Sequence, residues 1–292
     1  MKLFSKPDLI GERKFFPEKI PLAERELASI VYHDIFDYPL TIFELIKWVA
    51  GEKVRLSKTQ EIKVEGKKGY LFIKGREGLV LKRLMRKRIS ARKMARAKRA
   101  ARFLSFIPTI KMIAVSGALA MENADEEADI DLLIITKRGT LWTTRFLALA
   151  LLGFLRIPRR KYGDKNQKDK LCLNIWLDED DLVWQKRTFF TAHEIAQIKP
   201  LVNKEKTYEK FIFKNRWVVD YWPNAVKIQD YPRGVATRPS PFIVFEPLLR
   251  RFQFWYMKGK VTREVVTPTR ALFHPIDWGK VVLSGFRKKV RG

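Results

Sequence analysis

Residues 112–137 read MIAVSGALAMENADEEADIDLLIITK. Two apolar runs of β-prone residues, IKMIAV and IDLLIIT, are close enough in sequence to be neighbouring strands, and each is apolar at successive positions rather than at alternate ones. With the long helix that follows, the alternation of strands and helix argues a small α/β unit. Gly117 follows the first run after a single residue, Ser116, and ten residues lie between Ala118 and Asp129. A residue without Cβ at a strand end lets backbone amides approach an anion, with a helical turn beginning behind it.

Asp129 and Asp131 are spaced i, i+2, so on an extended chain they share one side while Ile130 turns into the core. Two carboxylates held side by side repel each other unless a cation lies between them. Mg²⁺ suits the pair, because it takes hard oxygen ligands and completes its shell with water and phosphate oxygens. The chain carries 59 Lys and Arg against 32 Asp and Glu, a formal charge of +27. A surface of that sign attracts phosphates, nucleic acid above all, although a generally basic proteome would produce the same excess.

The surrounding pattern is α+β, and three regions separate. Residues 1–75 open with helical periodicity at Leu27, Ile30, Val31 and Ile35, then a second stripe at Ile42, Leu45, Ile46 and Val49 behind a Thr41/Glu44 capping box. EIKVEGKKGYLFIKG follows as a hairpin, giving a winged-helix-like layout in which only RLSKTQ stands where a recognition helix belongs. Residues 76–187 begin with a strongly basic helix over 76–105, the leading candidate for a phosphate-facing surface. They continue as strand, glycine turn, strand, the helix GTLWTTRFLALALLGFL, the basic loop RIPRRKYGDKNQKDK and the strand LCLNIWL. Residues 188–292 read as mostly helical, with aromatics such as those of FQFWYM at helical spacing and therefore expected in a helix-packing core.

Other chemistries find little footing. The three histidines, His33, His193 and His274, have no metal-ligand spacing, and His274 reads as a structural corner. The single cysteine, Cys172, forms no disulfide framework and reads as core packing. The longest apolar run, residues 146–155, is half the length of a membrane span and reads as a buried helix. No secretory signal is evident, and the expected compartment is the cytoplasm.

The strand, glycine turn, spacer and Asp-x-Asp together resemble the DNA polymerase β-like nucleotidyltransferase superfamily. More narrowly, FDYPLT, IAVSGALAM, ADIDLLIIT, LCLN, YWPN and FHPID are similar to bacterial nucleotidyltransferase-domain proteins with a winged-helix-like N-terminus and a helical C-terminal half. The resemblance implies a small mixed-sheet core that uses Mg²⁺ or Mn²⁺ to move a nucleoside monophosphate from an NTP to an acceptor, with RNA favoured. It implies that Asp129 and Asp131 bind metal, and that Ser116, Gly117 and Ala118 hold the triphosphate with help from Lys137, Arg138 or Arg145. Arg145 has a second role open to it, anchoring its own helix. Two positions depart from the pattern: Ala118 replaces the serine, and Asn174 stands where a third carboxylate is expected, with Asp169 and Asp178 as candidate substitutes. An alternative follows from these departures, a catalytically degenerate protein that binds RNA or DNA through its basic helix.

Overall fold

The computed structural model describes residues 22–54, 62–230, 239–259, 265–273 and 277–291. Within them lie nine α-helices and two sheets, a mixed α+β architecture. RLSKTQ and His274 fall outside the described residues.

Near the N-terminus, α1 (Glu24–Asp34) precedes the short strand β1 (Leu40–Thr41) and α2 (Ile42–Lys47). The capping box forms as its residues require: the Glu44 amide donates to Thr41 Oγ1 at 3.2 Å, and the Thr41 amide donates to Glu44 Oε2 at 2.9 Å. β2 (Val64–Lys67) and β3 (Tyr70–Ile73) make the expected hairpin. Lys68 and Gly69 at its tip have φ of 50° and 82°, the paired left-handed turn that follows the right-handed twist of the strands. β1 joins the far edge of β3.

The 27-residue basic helix α3 (Gly78–Leu104) leads to β4 (Ile110–Val115), the single turn α4 (Gly117–Ala120) and β5 (Ile130–Thr136). α5 (Leu141–Phe154) crosses over to β6 (Leu171–Asp178), which lies parallel to β5, as a crossover of this length allows. α6 (Phe189–Ala196), β7 (Lys199–Asn203), α7 (Thr207–Lys214), α8 (Glu246–Met257), β8 (Val265–Val266), β9 (Arg270–Leu272) and α9 (Trp278–Arg291) complete the chain. The central sheet has the order β7-β4-β5-β6-β9-β8. The region after residue 188 is mostly helical, as its pattern predicts, but it also supplies half of the strands of this sheet. These strands are five, two and three residues long, too short to show a period of two against the helical pattern around them.

Both faces of the sheet are covered. Met112, Ala114, Leu133 and Ile135 face one core, shared with α1, β1, α6 and α9. Ile113, Val115, Ile130, Leu132 and Ile134 face the other, shared with α3 and α5. The N-terminal elements are therefore continuous in packing with the central sheet. α5 is buried along one side only, through Trp142, Ala148 and Leu152, while Phe154 at its end is 84% exposed. No helix among the described residues is long and apolar enough to cross a membrane.

Candidate nucleotide and metal site

The Asp pair lies where β5 begins. Ile130 is fully buried in the α3/α5 core, so alternation sends Asp129 and Asp131 to the opposite face, beneath α6. β4 delivers Gly117 beside them, and the Ser116 amide donates to the Asp131 carbonyl at 3.1 Å to hold the turn in register. Gly117 has φ of 59°, and a Cβ there would sit 2.7 Å from Asp131 Oδ2. The left-handed backbone and the close approach each demand glycine. Ser116 is buried, whereas Ala118 is exposed on the first turn of α4.

β6 supplies the third wall. Asp131 pairs in register with Cys172, but Leu133 pairs with Ile175, so β6 carries one extra residue at Leu173 and Asn174. That bulge turns Asn174 toward the site, where its Nδ2 donates to Asp131 Oδ1 at 2.6 Å. The Asn174 Oδ1 atom is buried without a hydrogen-bond partner. Carboxylate oxygens of Asp129 and Asp131 and the Cys172 sulfur lie within 4.8 Å of one another, close enough for one cation to touch all three.

Arg160 closes the cluster. Its amide donates to the Leu171 carbonyl at 2.8 Å, and Arg159 forms a bridge to Leu171, so the basic loop runs briefly alongside β6. Arg160 Nη1 thereby reaches Asp129 Oδ2 at 2.8 Å. Burial raises the Asp131 pKa to about 7, reinforced by the Asp129 carboxylate and by Glu194 of α6. The Cys172 thiol is pushed up as well, by burial and then by the same two aspartates. The site is thus short of positive charge as it stands, and a divalent cation would favour ionisation of both groups.

The remaining candidates lie elsewhere. Arg145 donates to Gln253 Oε1 at 2.6 Å and lies over the Phe273 ring at 4.9 Å, contacts that tie α5 to α8. Lys137 and Arg138 follow Thr136, the last residue of β5, and Arg138 pairs with Asp180 at 2.7 Å. Asp178 is opposite Thr136, five residues beyond Asp131, or about 16 Å at the rise of a strand, and it accepts from the Gly139 amide. Asp169 is held by Lys93 at 2.8 Å and Arg96 at 2.9 Å. Neither acid supplies a third carboxylate to the pair.

Three residues of the site escaped the sequence reading. Cys172 looked like core because it sits in an apolar run, yet its i, i+2 spacing from Asn174 was the available signal. Glu194 comes from a helix far along the chain, and Arg160 was hidden among seven cations of residues 156–170. The acidic spacer is not simply solvated: Glu122 pairs with Lys199 at 3.1 Å, and Glu126 pairs with Arg92 at 2.7 Å and Lys168 at 3.1 Å.

No protein-family model matches the chain, and no match to it was found among curated proteins. Any functional reading therefore rests on the geometry above.

Proposed function

We propose that this chain is a divalent-cation-dependent nucleotidyltransferase that moves a nucleoside monophosphate from an NTP to a polyanionic acceptor, RNA in the first instance. The observation that carries this reading is the Gly117 turn pressed against the Asp131 carboxylate, with Asp129 in the same cluster. Asp129 and Asp131 fit Mg²⁺ or Mn²⁺, and the Cys172 sulfur, a soft donor, suits Mn²⁺ better than Mg²⁺. When bound, such a cation stabilises charge on the oxygens that attack and leave the α-phosphorus. The Gly117, Ala118 and Leu119 amides receive the terminal phosphates, the Ser116 amide being held by the Asp131 carbonyl. Arg160 gives up Asp129 and pairs with the triphosphate. The acceptor hydroxyl oxygen bonds to the α-phosphorus as the bond to the β-phosphate oxygen breaks, pyrophosphate leaves, and the hydroxyl proton passes to solvent because Asn174 cannot accept it.

The acceptor class is supported by the position of α3. Lys93 Nζ donates to the Glu126 and Ala128 carbonyls at 3.0 and 2.8 Å, which sets the helix against the segment entering Asp129. Lys87, Arg88, Lys98, Arg99 and Arg102 of α3 are exposed. α3 is not basic surface throughout, since Arg83 and Lys93 are buried and bonded internally.

A missing general base costs about 10² to 10⁴ in rate, so turnover should be slow. Asn174 and Cys172 favour a second reading, in which the site binds NTP or RNA without transfer. Incubation with each α-labelled NTP, Mn²⁺ or Mg²⁺ and total RNA separates the two. Label incorporated by the wild type and lost in Asp129→Asn/Asp131→Asn supports transfer. Tight binding without label supports the second reading, and neither binding nor label overturns both.

A further inference from the structure

α8 buries two polar side chains and exposes several large apolar ones. Its polar side chains face inward: Glu246 accepts from the Trp142 and Thr143 amides, each at 2.8 Å, and Gln253 donates to the Trp142 carbonyl at 2.7 Å. Phe254 and Met257 also pack inward, but most of its other large apolar side chains face solvent. Val244, Phe245, Leu248, Phe252, Trp255 and Tyr256 follow one another at helical spacing on the outer side of α8 and the turn before it, with Val244, Leu248 and Trp255 at 74%, 69% and 70% exposure. Phe252 meets Phe146 of α5 edge-on, which carries the surface toward the exposed Phe154. An outward apolar stripe of this size marks an interaction surface rather than ordinary surface composition.

We infer that this face seats on an anionic lipid bilayer. Arg251 is exposed on the same helix and Lys258 just beyond its end, and the cations Arg156 and Lys161 follow Phe154. Glu246 is the only acid of residues 239–258, and it is buried, so the outer face presents apolar groups and cations with no carboxylate. Aromatic and aliphatic side chains on one side, with basic side chains at the margin, are what an interfacial helix needs to insert to headgroup depth. Charge complementarity separates this occupant from the others. A second copy would set one acid-free, basic-edged face against another of the same sign on a chain of formal charge +27. Single-stranded RNA would stack on the aromatics but would leave Val244 and Leu248 without a use. The inference is independent of nucleotidyl transfer.

The test is flotation of the full chain with vesicles of pure phosphatidylcholine, and with vesicles of equal parts phosphatidylcholine and phosphatidylglycerol. The wild type is expected to float with the anionic vesicles alone. Leu248→Ser and Trp255→Ser, both at exposed positions, are expected each to lower the partition coefficient about tenfold, the scale of losing one inserted side chain. Three results would overturn the inference. One is no flotation of the wild type. Another is flotation unchanged in both variants, which reduces the effect to adsorption of net charge. The last is a dimer, or binding of homopolymer RNA, that the same variants abolish without affecting flotation.

Discussion

At the scale of single residues, the site is a pair of carboxylates in which position 172 offers a thiol and position 174 an amide. Because Cys172 shares the cluster of Asp129 and Asp131, Cys172→Asp should place a third carboxylate there. We expect tighter Mn²⁺ binding by calorimetry and at least about tenfold faster label transfer, with Cys172→Ser giving neither. Gly117→Ala should cost about 1–3 kcal/mol in thermal unfolding and abolish NTP binding, since the new methyl would both strain the backbone and displace Asp131. The raised pKa of Asp131 fixes the sign of a third test. A cation must displace its proton below about 7, so Mn²⁺ affinity should climb from pH 6 to pH 8, and Glu194→Gln should move the midpoint down. A flat profile would contradict the placement of Asp131 in the metal site.

At the scale of elements, the basic helix divides into two kinds of cation. Arg83 lies over the Tyr38 ring at 4.1 Å and donates to Tyr38 Oη at 2.7 Å and Glu44 Oε1 at 3.0 Å, a buried tie between α3 and α2. Removing it with Arg83→Ala should cost roughly 3 kcal/mol in chemical unfolding, because Glu44 loses its compensating charge. Lys98→Ala/Arg99→Ala should leave stability within about 0.5 kcal/mol and reduce the salt dependence of RNA binding. This division was not legible in sequence, where α3 reads as uniformly cationic. Only the i, i+10 pairing of Arg83 and Lys93 along the buried stripe hinted at it. What was legible rests on long periodic runs: β4, β5, β6, α3, α5 and the Thr41/Glu44 cap all stand where their residues place them. The short strands β7, β8 and β9 gain their structure from the neighbours they pair with. Of the FQFWYM aromatics expected in a core, Phe254 packs against Trp142 there, whereas Phe252, Trp255 and Tyr256 point outward, because Glu246 and Gln253 share the inner face of α8.

At the scale of the whole molecule, the N-terminal elements and the C-terminal half meet through two buried histidines. His33 of α1 bonds through Nδ1 to the Ser29 carbonyl at 2.8 Å, and its Nε2 lies 3.3 Å from Nε2 of His193 in α6. A carbonyl only accepts, so His33 carries its proton on Nδ1 and accepts from His193 at Nε2. Trp48, Trp222 and Tyr32 pack around the pair. Burial lowers both pKa values to about 3 from 6.5. Between those values the unfolded chain binds protons that the folded chain refuses, so the pair contributes stability above pH 6.5 that is lost as pH falls toward 3. Asp131 and Asp178, both raised, act in the opposite sense over part of that range. The informative quantity is therefore the difference from His33→Leu/His193→Leu, which should gain stability relative to the wild type as the solution is acidified.

The central claim is that Asp129 and Asp131, set against the Gly117 turn, form a cation-dependent NTP site. Its most direct test is titration of the wild type and Asp129→Asn/Asp131→Asn with each NTP in the presence and absence of Mn²⁺. Binding of at least one NTP that requires Mn²⁺ and disappears in the double variant is the predicted result. NTP binding that is indifferent to Mn²⁺ and to both substitutions, or no NTP binding at all, would contradict the account.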